Sequence, residues 1–138
     1  MPYYIEQSFS NDVEVVLQEA AAGSLLLSSW TCVEFVSMLG RLSRMKALRD
    51  PQPLRKAFED DARRVYVVVE PVPADYRVAA DLLLRDVELG LRGPDALHLA
   101  IARAHEAPLV TLDRSLLNAA RALGIDATDA GVLRMGSP

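Results

Sequence analysis

A length of 138 residues and a mass of 15.1 kDa fit one domain and exclude two of ordinary size. With 51% apolar, 25% charged and 6% aromatic residues the chain can bury a real core, which excludes disordered, collagen-like and disulfide-scaffold classes. A net charge of −4 and a pI near 5.1 argue against a protein that coats nucleic acid by bulk electrostatics.

In chain order, Ser10-Asn11-Asp12 are capping residues with an acid near the positive end of a helix dipole. They predict a first helix through Val13, Val16, Leu17 and Ala20 to Gly23. Ser24-Leu25-Leu26-Leu27-Ser28 reads as a short buried strand. Thr31-Cys32-Val33-Glu34 opens a second helix with capping-box spacing, and Val36, Leu39, Leu42 and Met45 hold its helical period. Pro51 and Pro53 end that segment, and Pro53 suits the first turn of a helix continuing to Arg64. Val65-Tyr66-Val67-Val68-Val69 is the strongest strand, β-branched and too apolar for an exposed edge.

After Pro71 and Pro73 a helix is expected from Ala74 to Leu89, stopped by Gly90. Gly93-Pro94-Asp95 starts another, through His98, Ile101 and Ala102. Pro108 leads into the strand Leu109-Val110-Thr111-Leu112, Asp113 opens the last main helix to Gly124, and Ile125-Asp126-Ala127 adds a short edge strand. Strands separated by helices of this length predict right-handed crossovers and a mostly parallel α/β sheet, in one domain spanning 1–138. Such domains usually start with a buried central strand. Here Tyr3-Tyr4-Ile5 is the only candidate, and no turn or acid of the expected type follows it.

Cys32 stands alone, so a reducing compartment is expected. The N-terminus resembles no signal peptide, and the longest apolar runs are too short to span a bilayer. A cytoplasmic location without membrane attachment is the expectation. No GxGxxG, GK[ST] or GxSxG motif is present. His98 and His105 lack Cys or carboxylate partners at zinc-ligand spacing, which makes a histidine metal site improbable.

What remains is carboxylates in particular places. Asp113 is expected at the carboxyl end of its strand, and Glu34 on the first turn of the helix after another strand. Both belong to the edge where open parallel sheets form their ligand crevice. Asp95 opens a helix whose first turn could face either end. Converging carboxylates repel one another unless a hard divalent ion joins them, as in a Mg²⁺ or Mn²⁺ site that activates water on a phosphodiester. Each acid also has a structural explanation: Glu34 as capping-box partner of Thr31, Asp113 as an N-cap, and Asp95 as complement to a helix dipole.

The stretches Leu91-Arg92-Gly93-Pro94-Asp95-Ala96-Leu97-His98-Leu99-Ala100 and Pro108-Leu109-Val110-Thr111-Leu112-Asp113-Arg114-Ser115-Leu116 resemble the third and fourth acidic motifs of PIN-domain ribonucleases, VapC-type toxins above all. Ser28-Ser29-Trp30-Thr31-Cys32-Val33-Glu34-Phe35 is similar to the second. The match runs from about Tyr4 to Ile125; the Asp95 and Asp113 stretches are specific, the Glu34 stretch alone weak. The resemblance implies a Rossmann-like sheet flanked by helices and a metal-dependent endoribonuclease. It also implies Glu34, Asp95 and Asp113 as catalytic Mg²⁺ or Mn²⁺ ligands, Thr111 as a supporting residue, a homodimer, an RNA substrate and a cognate antitoxin. Family members begin with a strand ending in Asp followed by Thr or Ser. Pro2-Tyr3-Tyr4-Ile5-Glu6 reads as the segment after it, so the chain is expected to be N-terminally short, lacking that strand and the first acidic motif. Strand exchange or partner pairing would then cover the exposed neighbours.

Arg41, Arg44, Lys46, Arg49, Arg55 and Lys56 form a basic stretch that suits RNA phosphates or an antitoxin carboxylate, or equally a solvated helix face. Trp30 is expected to pack rather than stack on a base. Two rival readings stay open: an inactive PIN-like remnant that binds RNA or an antitoxin, and a receiver- or flavodoxin-like ligand-binding domain, which the missing phosphate loop disfavours.

Overall fold

The computed structural model describes residues 3–5 and 25–129. The helix expected over 10–23 lies outside them. Among the described residues the elements are β1 (Tyr3–Ile5), β2 (Leu25–Ser28), α1 (Ser29–Arg44), α2 (Gln52–Val65), β3 (Tyr66–Val69), α3 (Pro73–Arg85), a 3-10 turn (Val87–Leu89), α4 (Gly93–Ala104), β4 (Leu109–Val110), α5 (Arg114–Ala122) and β5 (Ala127–Thr128). The strands form one sheet in the order β3-β2-β1-β4-β5, every neighbouring pair parallel.

Alternation along each strand divides the core into two layers. Leu26, Tyr4 and Leu109 face a cluster built with Leu82 of α3, Leu99 and Ile101 of α4 and Leu116 of α5. Leu25, Leu27 and Val110 face the other side, where Phe35 and Leu39 of α1 and Phe58 of α2 pack, the two phenyl rings stacked at 4.2 Å. Helix α4 is buried at every position from Ala96 to Ala102, as expected of a helix enclosed by its neighbours.

The first strand is present, which corrects the expectation that it is missing. Tyr3–Ile5 is the centre of the sheet, with Tyr3 and Tyr4 opposite Leu25 and Leu26, and Tyr4 and Ile5 opposite Leu109 and Val110. Three residues suffice because neighbours on both sides satisfy them, so no strand exchange is required. Five element assignments also change. Helix α1 starts at Ser29 with Ser28 as N-cap, its Oγ accepting from the Trp30 N–H at 2.9 Å, so Thr31 and Glu34 form no capping box. Strand β3 is an edge despite its apolar sequence, with Val67 and Val68 45% and 42% exposed; β-branched content reads alike at an edge and in an interior. The helix expected to reach Leu89 ends at Arg85, where Asp86 caps a separate 3-10 turn closed by Gly90 at φ 62°. Strand β4 stops at Val110 rather than Leu112, and β5 lies at Ala127–Thr128.

Candidate functional site

Because every strand pair is parallel, β1, β2 and β4 all end at one edge of the sheet. The chain builds outward from β1 through β2 to β3, then crosses to β4 and β5 on the other side. The order therefore reverses between β1 and β4, the place where open α/β sheets form their ligand crevice. Helix α1 starts directly after β2 and brings Glu34 to this edge. Helix α4 returns the chain to the start of β4, so its first turn, with Asp95, lies at the same edge; the sequence left that direction open. Asp113 follows β4 and caps α5.

Glu34 is held by a residue that sequence reasoning set aside. His98 is fully buried; its Nε2 lies 2.5 Å from Glu34 Oε1 and its Nδ1 lies 2.7 Å from the Tyr4 hydroxyl. The Glu34 side chain itself keeps 32% exposure. Asp95 lies one turn from His98 on the same face of α4, only 16% exposed at its side chain, with Oδ2 3.4 Å from Arg92 Nε. The Asp113 Oδ1 accepts the N–H groups of Ser115 and Leu116 at 2.9 and 3.2 Å, the N-cap expected from sequence. Buried Thr111 accepts the Asp113 N–H at 3.0 Å through Oγ1 and so fixes the turn that aims the acid.

Each acid therefore spends one carboxylate oxygen on a protein donor. Glu34 Oε2, Asp95 Oδ1 and Asp113 Oδ2 make no hydrogen bond among the described residues. Glu34 reaches the edge from α1, Asp95 from the first turn of α4, and Asp113 from the turn after β4. Among the described residues no three His, Cys, Asp or Glu side chains are gathered closely enough to form a ready metal cluster. Glu6, the first residue after β1 in sequence, lies outside the described residues. A further acid at this edge, Glu70, directly follows β3 and accepts from Ser29 Oγ at 2.8 Å. A signal for His98 was present in sequence: a histidine three residues after Asp95, within an apolar run, must find two partners if buried.

Arg41, Arg44 and Lys46 are exposed and make no ion pair among the described residues. Arg41 and Arg44 occupy the last turn of α1, where cations complement the helix dipole, and Lys46 lies in the turn just beyond it; Arg41 lies about 10 Å along the axis from Glu34. Arg55 and Lys56 instead pair with Glu59 and Asp60 on α2. Trp30 packs against the core, as expected. Half-buried Cys32 lines a cavity of about 220 Å³ with Val36 and Phe58, and burial pushes its thiol pKa up.

The family model for the PIN domain matches residues 3–122. The chain belongs to the PIN-domain family. PIN domains are generally nucleases and typically use divalent metals. Among solved structures, a crystal structure of a protein from Pyrobaculum aerophilum superimposes on this PIN domain with a TM-score of 0.69 at 20% identity, covering 98% of this chain and 94% of the other. A toxin–antitoxin complex from Klebsiella pneumoniae gives 0.51 at 18% identity, covering 77% and 76%. At these identities the likeness is one of fold. No curated protein matches. Among the described residues of this PIN domain, no helix is long and apolar enough to cross a membrane.

Proposed function

We propose that this PIN domain is a Mg²⁺- or Mn²⁺-dependent endoribonuclease, a VapC-like toxin in which Glu34, Asp95 and Asp113 hold the ion. The observation that carries the reading is the pattern of the three acids: each is oriented by a bond to one oxygen and, among the described residues, leaves the other unpartnered, at one edge of the sheet. Carboxylate oxygens are the hard donors that such ions prefer, so the donor chemistry fits. When bound, the ion supplies a water of lowered pKa and offsets charge building on the phosphodiester. The chain's own residues do the positioning. Thr111 sets the Asp113 turn, and Arg41, Arg44 and Lys46 hold RNA phosphates beyond the acids.

The solved toxin–antitoxin complex of like fold supports a cognate antitoxin as partner. A homodimer working in the cytoplasm completes the reading. The test is cleavage of a panel of structured and single-stranded RNAs with Mn²⁺ or EDTA, with Asp95→Asn alongside. Mn²⁺-dependent cleavage lost in the variant is expected; equal cleavage by the variant removes Asp95 from the site. One observation favours the second reading, an inactive remnant that binds RNA or an antitoxin: glutamate, not aspartate, follows β1. That reading predicts partner binding unaffected by EDTA and no cleavage by folded protein.

A further inference from the structure

The buried chain from Tyr4 through His98 to Glu34 has a direction. A glutamate carboxylate only accepts, so the bond to Glu34 Oε1 uses an Nε2–H donor. In a neutral imidazole Nδ1 is then the acceptor, and the Tyr4 hydroxyl, 2.7 Å away, donates to it. In the neutral ring both nitrogens are then satisfied, with no water required, at a site of 0% exposure. Tyr4 is itself fully buried at the centre of the sheet, its backbone N–H bonded to the Pro108 carbonyl at 3.0 Å. The chain thus anchors a partly exposed carboxylate to the central strand of the sheet. The same face of α4 carries Asp95 one turn away.

We propose that His98, braced by Tyr4, is the positioning residue of the site: it fixes the Glu34 carboxylate so that Oε2 faces the edge and remains open to a divalent cation. The inference rests on the metal-site reading above and adds two residues to it. Without the bridge Glu34 is a three-torsion side chain free to rotate toward solvent, and the ion would have to order it on binding. Outer residues of this kind typically set metal affinity by about 10–100-fold.

The test uses the full chain and Mn²⁺ itself, titrated by electron paramagnetic resonance, with RNA cleavage as a second readout. His98→Leu is expected to weaken Mn²⁺ binding by about 10–100-fold. His98→Gln, which keeps an amide N–H at the position of Nε2, is expected to recover much of the loss, a rescue that a purely structural role would not produce. Tyr4→Phe, retaining the ring and the bulk, is expected to weaken binding in the same direction by less, and covers the case that His98→Leu does not fold. Independently of metal, ¹⁵N NMR of the His98 ring is expected to report the Nε2–H tautomer. Mn²⁺ affinity unchanged in folded His98→Leu or, if it does not fold, in Tyr4→Phe overturns the positioning role while leaving the metal site standing, as does an Nδ1–H tautomer. A wild-type chain that binds no Mn²⁺ overturns both.

Discussion

Tyr4 offers the sharpest stability test because one residue carries two separable contributions. Its side chain is fully buried between α4 and the sheet, and its hydroxyl bonds to His98 Nδ1. Tyr4→Phe keeps the ring and removes only the donor, leaving a buried nitrogen unpaired at a cost of about 1–3 kcal/mol. Tyr4→Ala also empties the ring's space, which for a core aromatic costs about 3–5 kcal/mol. The alanine variant therefore loses about 4–8 kcal/mol, comparable with the entire 5–15 kcal/mol of a typical domain. Urea unfolding followed by far-UV circular dichroism and by the fluorescence of Trp30, the sole tryptophan, reads both variants. The expected order is wild type, then Phe, then an alanine protein that is largely unfolded near 37 °C. A Tyr4→Ala protein within about 1 kcal/mol of wild type would refute the central placement of β1.

Three further outcomes are expected. Asp113→Asn keeps a good N-cap and Asp113→Ala does not, so only the alanine variant should lose about 1 kcal/mol in urea unfolding, while both should lose metal-dependent cleavage. Gly124→Ala should cost about 1–2 kcal/mol because φ is 74° there and no neighbouring atom crowds the added Cβ; Gly40→Ala, in the open middle of α1, should instead stabilise by about 0.5–1 kcal/mol, both read by thermal melting. Burial raises the Cys32 pKa, so the folded chain keeps its thiol proton to higher pH than the unfolded chain. Iodoacetamide labelling should lag that of urea-unfolded protein at pH 8 and catch up only as the pH rises.

The sheet's class and the helices after it were legible because their signals are local. Pro94 and Asp95 at the start of α4, Asp113 before α5, and Gly90 and Gly124 at positive φ each mark a boundary by their own chemistry. β1 was misread for the opposite reason. Three residues carry too little periodicity to define a strand, and what makes Tyr3–Ile5 central is pairing with residues distant in sequence. The edge position of β3 escaped for a related cause, since nothing in Tyr66–Val69 states on how many sides it pairs. At the site, the acids were visible as residue types at strand and helix ends. The bond that orients Glu34 was not, because His98 lies 64 residues away and reaches it only through the fold.

The order of the strands also bears on synthesis. One flank of β1 is met by β2, but the other waits for Leu109–Val110, about a hundred residues later. At a ribosomal pace of roughly 5–20 residues per second, that flank stays open for about 5–20 s after β1 emerges. A nascent chain of this protein thus presents an unpaired inner strand edge, rich in aromatic and branched side chains, for most of its translation. Holding chaperones or self-association would compete for it in that interval, and slow codons placed before residue 109 would lengthen the exposure.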